Sequence, residues 1–147
     1  MQDAAATPSH LRLKGLIVCE AMLRLCRLMT DHFDCDLESF VCYMAVISAN
    51  LGRKRRERDG FPHDAPPPDE ERWPVSRRAI AASVGLPRET VRRKIMELVE
   101  KGHVVEVRGG LKAVAPALEH ADNLQIVLGA IRTFQRTAAE LEEVDGR

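Results

Sequence analysis

Residues 77–110 read RRAIAASVGLPRETVRRKIMELVEKGHVVEVRGG, and the predicted fold depends on this stretch. Its first eight residues have helical spacing and follow Ser76, a residue type that favours the N-terminus of a helix. Gly85 suits a tight turn, because glycine adopts positive φ at little cost. A longer helical pattern then runs to Gly102, and glycine commonly follows the last turn of a helix. The stretch therefore predicts a shorter and a longer helix joined by a tight turn.

Apolar spacing predicts the buried faces of these two helices. In the first helix, the residues expected to point inward are Ala79, Ile80 and Val84. In the second helix, the expected apolar face consists of Val91, Ile95, Leu98 and Val99. Ala81 is small where the two helices must cross closely, and Val91 is expected to pack against the first helix. Crossed helices joined by a short turn are typical of a helix-turn-helix.

Two β-leaning runs follow the second helix. They span residues 103–107 and 111–115, and Arg108-Gly109-Gly110 joins them, which predicts a hairpin. Helix, tight turn, helix and hairpin form the layout of a winged helix-turn-helix. We assign this module to residues 74–116.

Helical patterns flank the module on both sides. Residues 10–58 predict an N-terminal helical region, residues 59–73 a proline-rich linker, and residues 119–144 a C-terminal amphipathic helix. The second N-terminal helix has an apolar stripe of Leu37, Phe40, Val41, Met44, Ile47, Ser48 and Leu51. The C-terminal helix has one of Leu124, Val127, Leu128, Ile131, Phe134, Ala138 and Leu141.

These stripes exceed what a small module can cover, which favours a homodimer. The expected fold class is mainly α with a small β-hairpin wing. More fully, it is a winged helix-turn-helix flanked by N- and C-terminal dimerisation helices, with the C-terminal helix packing on the dimer core.

The composition restricts the class of protein. The 147 residues include 22 Lys+Arg and 22 Asp+Glu, and no run of 18 apolar residues occurs, so no membrane association is expected. The N-terminus lacks the pattern of a signal peptide, which predicts a cytoplasmic protein. The four cysteines have no CxxC spacing, so we expect neither a metal site nor another cofactor. No catalytic constellation stands out, and an enzyme is not expected.

Positive charge is concentrated in the module. Between Ser76 and Lys112 lie nine basic and four acidic residues, a net charge of +5 in a chain that is neutral overall. Such a basic segment is the expected footprint of phosphate contact. The residues expected to face outward on the second helix are Arg88, Glu89, Arg92, Arg93 and Met96. Arginine can pair with guanine and glutamate can accept from cytosine, so this face is suited to reading bases.

The run R-E-T-V-R-R from Arg88 to Arg93, following A-x-x-x-G-x-x, resembles the recognition helix of the Crp–Fnr regulators. The resemblance covers about residues 75–115 and implies that Arg88, Glu89 and Arg93 read bases while Thr90 touches phosphate. The cyclic-nucleotide barrel of that family has no counterpart in this sequence, and Lys94 stands where the family usually has an apolar residue. The flanking helices are instead similar to those of MarR-type dimers.

The sequence therefore predicts a homodimeric, sequence-specific transcription regulator that binds double-stranded DNA. Its two recognition helices should enter successive major grooves of a pseudo-palindromic site. The residues expected to contact the DNA backbone are Ser76, Arg77, Arg78, Thr90 and Arg92. In the wing, Arg108 and Lys112 are expected to contact phosphate or the minor groove, with ordinary surface charge as the alternative.

Two other functions stay open at this point. One is a winged helix that binds another protein, for which no salt-dependent DNA binding is expected. The other is a regulator that senses a small-molecule effector in an apolar pocket of its helical dimer core.

Overall fold

A computed structural model describes residues 9–56, 67–114 and 121–146. The helices are α1 (Ser9–His32), α2 (Leu37–Arg56), α3 (Arg77–Val84), α4 (Arg88–Glu100) and α5 (Ala121–Asp145). The strands are β1 (Val104–Val107) and β2 (Gly110–Ala113), and a 3-10 turn spans Asp69–Glu71. The prediction of a mainly helical chain with one small antiparallel hairpin is confirmed. Among the described helices, none has the length and apolarity needed to cross a membrane.

The chain forms two compact units whose boundary differs from the predicted one. One unit consists of α1 and α5, and the other contains α2, α3, α4 and the hairpin. The sequence predicts one region over residues 10–58, whereas the chain passes from one unit to the other between His32 and Phe33. The physical reason is that α2 packs against α3, α4 and β2. Of the predicted linker, residues 59–66 lie outside the described residues.

The apolar stripe predicted for α2 is not the side of the helix that faces the core. Of its seven residues only Phe40 is buried, and Leu37 and Met44 are exposed. The residues of α2 that are buried are Ser39, Phe40, Cys42, Tyr43, Val46 and Asn50. Apolar side chains occupy both sides of this helix, so spacing alone could not identify the side that faces the core.

Asn50 decides the orientation of α2. Its side chain is 1% exposed, and its amide nitrogen donates to the carbonyl groups of Trp73 (2.6 Å) and Leu111 (3.1 Å). Its amide oxygen accepts from the Ala113 N–H at 2.8 Å. The Trp73 N–H in turn donates to the Asn50 carbonyl at 3.1 Å. The end of α2 is therefore bonded to β2 and to the segment that leads into α3.

An aromatic cluster lies at the other end of α2. The Phe33 ring centroid is 4.8 Å from that of Phe40, 5.2 Å from that of Tyr43 and 4.8 Å from that of His103. Phe33 and Phe40 meet edge to face, an arrangement that aromatic rings favour. The cluster joins the start of the second unit to the residue that precedes β1.

The faces of α3 and α4 are largely as predicted. Ile80 and Ala81 are buried in α3, whereas Ala79 is exposed, so its predicted inward position is wrong. In α4 the predicted residues Val91, Ile95 and Leu98 are each fully buried, and Val99 is half-buried. These side chains fill the core between α2, α3 and α4.

The hairpin pairs Val104 with Ala113 and Val107 with Gly110, and residue 115 of the predicted second run lies outside the described residues. The segment before α3 adds one further bridge, in which Val75 exchanges backbone hydrogen bonds of 2.8 and 3.0 Å with Leu111. A Cβ at Gly110 would lie 2.4 Å from the Val75 carbonyl oxygen, and Gly110 has a φ of +144°. Only glycine allows these two backbone segments to approach this closely.

The unit of α1 and α5 is an antiparallel helix pair with a thin core. Lys14 near the start of α1 forms an ion pair with Asp145 at the end of α5. Gly129 lies so close to Leu28 that an added Cβ would be 2.7 Å from a Leu28 methyl group. Among the described side chains of this pair, only Ala21 and Ile126 are buried.

Asn50→Leu should lower the free energy of unfolding by about 2–5 kcal/mol. Leucine has a similar volume but leaves the Trp73 carbonyl and the Ala113 N–H without this partner, and a buried group that loses its hydrogen bond costs about 1–3 kcal/mol. Urea unfolding followed by the fluorescence of Trp73, the chain's one tryptophan, measures the change. Ser48→Leu, at an exposed position of the same helix, should stay within about 0.5 kcal/mol of the parent chain. An equal effect of both substitutions would contradict the role of Asn50.

Candidate nucleic-acid interface

Ser76, Gly85 and Pro87 fix the limits of α3 and α4. The Ser76 hydroxyl accepts from the Ala79 N–H at 3.1 Å, which confirms Ser76 as the N-cap of α3. Gly85 has a φ of 70° and donates its N–H to the Ala81 carbonyl, so α3 ends there as predicted. Pro87 precedes α4 and provides no side-chain cap. The three residues between Val84 and Arg88 form the turn that joins the two helices.

A hollow of about 240 Å³ lies where α3 and α4 begin. It is lined by Arg77, Arg78, Arg88, Glu89 and Arg92. Four guanidinium groups and one carboxylate give the hollow a positive potential, and the N-terminal end of α4 adds the partial charge of its free N–H groups. The chemistry of this hollow suits an anion with several acceptor oxygens, such as a phosphate diester.

The exposed face of α4 continues from this hollow. All five residues predicted to face outward are exposed, namely Arg88, Glu89, Arg92, Arg93 and Met96. Thr90 is half-buried. The structure thus brings the three residues predicted to read bases onto one accessible face, next to the arginines at the start of α3.

Arg92 and Glu89 form a two-point ion pair along α4. Arg92 Nε donates to one carboxylate oxygen at 2.9 Å, and Nη2 donates to the other at 2.6 Å. This hydrogen bonding lowers the pKa of Glu89 and raises that of Arg92. The phosphate contact predicted for Arg92 would therefore be made by a guanidinium group that is already bonded to Glu89.

The two arginines at the start of α3 differ in their partners. Arg77 forms an ion pair with Glu106 of β1, so it connects the start of α3 to the hairpin. Arg78 is exposed and forms no ion pair with any residue in the described ranges. Of these two arginines, Arg78 is the one whose guanidinium group has no ion-pair partner among the described residues.

In the hairpin, the structure separates the two predicted wing residues. Arg108 is exposed in the turn, as a wing contact requires. Lys112 is only 8% exposed, and its ammonium group donates to the Asp69 carboxylate (2.8 Å) and carbonyl (2.9 Å). The prediction of Lys112 as a wing contact is wrong, because the turn at Asp69 covers that side of β2.

Lys94 lies on the inner side of α4 and is paired with carboxylates, and this charge cluster was not predicted. Lys94 is 6% exposed and its ammonium group bonds to the Asp36 carboxylate, with Glu97 at 3.5 Å and Glu38 at 3.8 Å. Asp36 also caps α2 by accepting from the Ser39 N–H at 2.8 Å. Lys94 interrupts the apolar face of α4. Its spacing of three residues from Val91 was the available signal that its side chain lies on the buried side of the helix. It anchors α4 to the start of α2.

Neither metal chemistry nor comparison with known proteins identifies a function for this interface. Within the described ranges, no group of three or more His, Cys, Asp and Glu side chains is arranged to hold a metal ion. The four cysteines are free thiols, and of these Cys42 is buried and Cys19 is exposed. No protein-family model matches the chain, and comparisons with curated proteins and with solved structures give no match.

Asp36→Asn should reduce the loss of stability in acid. Hydrogen bonding from Lys94 lowers the pKa of Asp36 from its ordinary 3.8 to about 2 in the folded chain. The ionised carboxylate therefore stabilises the fold above about pH 4, and this contribution is lost as the pH falls from 4 to 2. Asparagine can still cap α2, so the substitution removes mainly the charge.

Urea unfolding at pH 7 and at pH 3 tests this expectation. The difference between the two pH values should be smaller for Asp36→Asn than for the parent chain. Asp31→Asn, on the surface of α1 and 3.9 Å from Arg27, is the matched control and should preserve the parent difference. Identical pH differences for all three proteins would rule out the Asp36–Lys94 pair as a source of acid sensitivity.

Proposed function

We propose that the protein is a sequence-specific DNA-binding transcription regulator whose helix-turn-helix and hairpin form a winged module. The observation that carries the proposal is the exposed face of α4, on which Arg88, Glu89 and Arg93 lie together. Arginine donates to guanine O6 and N7, and glutamate accepts from cytosine N4, so these side chains suit the edges of bases in a major groove.

The surroundings of α4 support the same function. The hollow at the start of α3 and α4 offers guanidinium groups beside the proposed reading face, and such groups can bind the phosphates that flank a groove. Ser76, Arg78 and Thr90 are the proposed backbone contacts, and Arg108 in the hairpin turn is the proposed wing contact. Lys112 is excluded from this set by its burial.

The rigidity of α4 also favours a reading role. Its inner face is fixed by Val91, Ile95 and Leu98, and Lys94 anchors it to the start of α2. A helix that is held on its inner side presents its outer side chains in one orientation, which lowers the ordering cost of binding. The face is thus suited to discriminating sequences as well as attracting phosphate.

Arg93→Ala should cost about 1–3 kcal/mol in affinity for the preferred sequence and relax the preference at one base position. Arg78→Ala should weaken binding to all sequences alike and reduce the salt slope by about 1, because it removes one phosphate contact. Selection of bound sequences from a random duplex pool gives the preferred site. Titrations of that site at several salt concentrations then give the affinities and slopes.

Arg27→Ala is the control for both variants, since Arg27 lies exposed on α1, which belongs to the other unit of the chain. It should bind the selected duplex like the parent chain. No change of preference in Arg93→Ala would remove α4 as the reading helix. No duplex binding even at low salt would overturn the function and favour a module that binds another protein.

We further propose that the regulator is a homodimer held together by α1 and α5. The apolar stripe of α5 stays exposed, with Phe134 64% and Ile131 47% exposed, while α1 exposes Leu23 (70%), Met22 (60%) and Leu16 (57%). Such a concentration of exposed large apolar side chains on one helix pair is unusual for a monomer. A second copy fits this surface because two equivalent helix pairs can cover each other through a twofold interface. The expected recognition site is then a pseudo-palindrome.

Phe134→Glu should convert the dimer into a monomer and weaken binding to a two-half-site duplex. Full burial of a phenylalanine is worth about 1.5–3 kcal/mol, and a twofold interface loses it twice, so the dimer dissociation constant should rise at least a hundredfold. Sedimentation equilibrium measures the mass, and circular dichroism checks that helix content is kept. Arg27→Glu, a charge change at an exposed position of α1, should leave the mass unchanged. A parent chain that sediments as a monomer would contradict the dimer.

A further inference from the structure

We propose that Arg92 is a positioning residue for base recognition, which holds the Glu89 carboxylate in place rather than contacting the DNA backbone. The inference rests on the proposed DNA-binding function and assigns a specificity role to a residue that the sequence places among the phosphate contacts. It starts from the presence of a carboxylate on a face that is otherwise basic.

Glu89 is unfavourable on a DNA-facing surface unless it accepts a hydrogen bond there. Its side chain is 76% exposed in the first turn of α4, where phosphate oxygens would repel its charge. A base-edge amino group, such as cytosine N4, is the partner that would reverse this penalty. For that contact the carboxylate must have both a fixed direction and a compensated charge.

Arg92 provides both the fixed direction and the compensating charge. Its Nε and Nη2 bind the two carboxylate oxygens of Glu89, while its Nη1 donates to the sulfur of Met96 at 3.0 Å. All three guanidinium nitrogens are therefore bound along the surface of α4. An ion pair this exposed is weak in water, but it strengthens when a bound partner excludes the solvent.

The pairing leaves Glu89 able to bind a base. A carboxylate has about four acceptor positions, and Arg92 uses two of them. The remaining positions can accept from an amino group while the pair stays intact. Arg92 is thus placed to raise the preference for one base without touching that base.

The neighbouring arginines, Arg88 and Arg93, differ from Arg92 in their side-chain hydrogen bonding. Within the described part of the chain, Arg88 and Arg93 form no side-chain hydrogen bond to another residue. The pKa of Glu89 is lowered chiefly by its hydrogen bonds from Arg92, and the charge of Arg93 adds a smaller effect. Arg92 is therefore the specific partner of Glu89, whereas Arg88 and Arg93 stay available for bases.

The test compares base preference in four proteins: the parent chain, Glu89→Gln, Arg92→Gln and the double variant. Each is titrated with the selected duplex and with duplexes altered at single positions. Glu89→Gln should lower discrimination at one position about tenfold. Arg92→Gln should lower it at the same position, and the double variant should lose no more than Glu89→Gln alone, because the two residues act as one unit.

Arg92→Lys separates positioning from charge. Lysine keeps the positive charge but lacks the two parallel donors, so overall affinity should stay within a few-fold of the parent while the preference is still lost. Arg78→Gln is the control for a plain phosphate contact and should weaken binding without altering the preference. In the free protein, an NMR titration should show that Arg92→Gln raises the pKa of Glu89.

The outcomes distinguish this inference from the function it rests on. A uniform loss of affinity in Arg92→Gln, with preference unchanged, would overturn the positioning role and restore Arg92 as a phosphate contact. An unchanged pKa of Glu89 in that variant would overturn it as well. Failure of the parent chain to bind any duplex would instead overturn the proposed function itself, and the positioning role with it.

Discussion

The second unit depends on one buried amide. Val75 pairs with β2 for a single residue, and where that pairing ends the Asn50 side chain takes over by bonding to Ala113 and to the Trp73 carbonyl. The two-stranded sheet is too small to pair all the backbone groups at its edge, and the Asn50 side chain supplies hydrogen-bonding partners for them. Because this amide lies near the end of α2, it also sets which side of α2 faces α4. The position of the proposed recognition helix follows from that orientation.

Local signals explain what the sequence predicts correctly. Ser76 and Gly85 act within a few residues of their own positions, through a cap and a positive φ, and the positive φ values of Gly109 and Gly110 turn the hairpin. The limits of α3, α4 and the hairpin are therefore readable from the chain. The buried face of α2 is not, because both of its sides are apolar and the choice depends on hydrogen bonds to residues more than twenty positions away.

The difference between local signals and interactions distant in sequence also decides what could be predicted of the candidate nucleic-acid interface. Counting charges gives the module a net +5, but the count does not show which cations are already neutralised inside it. Lys94 and Lys112 are buried against carboxylates, and Arg77 is paired with Glu106. Asp36, Asp69 and Glu106 are each distant in sequence from the cation they pair with, so spacing could not reveal these pairs. The exposed face of α4 was predictable because helical periodicity alone separates it from Val91 and its neighbours.

The division into two units suits the proposed function. A single α4 offers three side chains for the proposed reading of bases, each worth about 1–3 kcal/mol of discrimination. A genome presents about 10⁶–10⁹ competing sites, which one such helix distinguishes poorly. A second copy doubles the number of bases read without enlarging the module. The long helices α1 and α5 contribute little to the core of their own chain, and their exposed apolar side chains are what such a second copy requires.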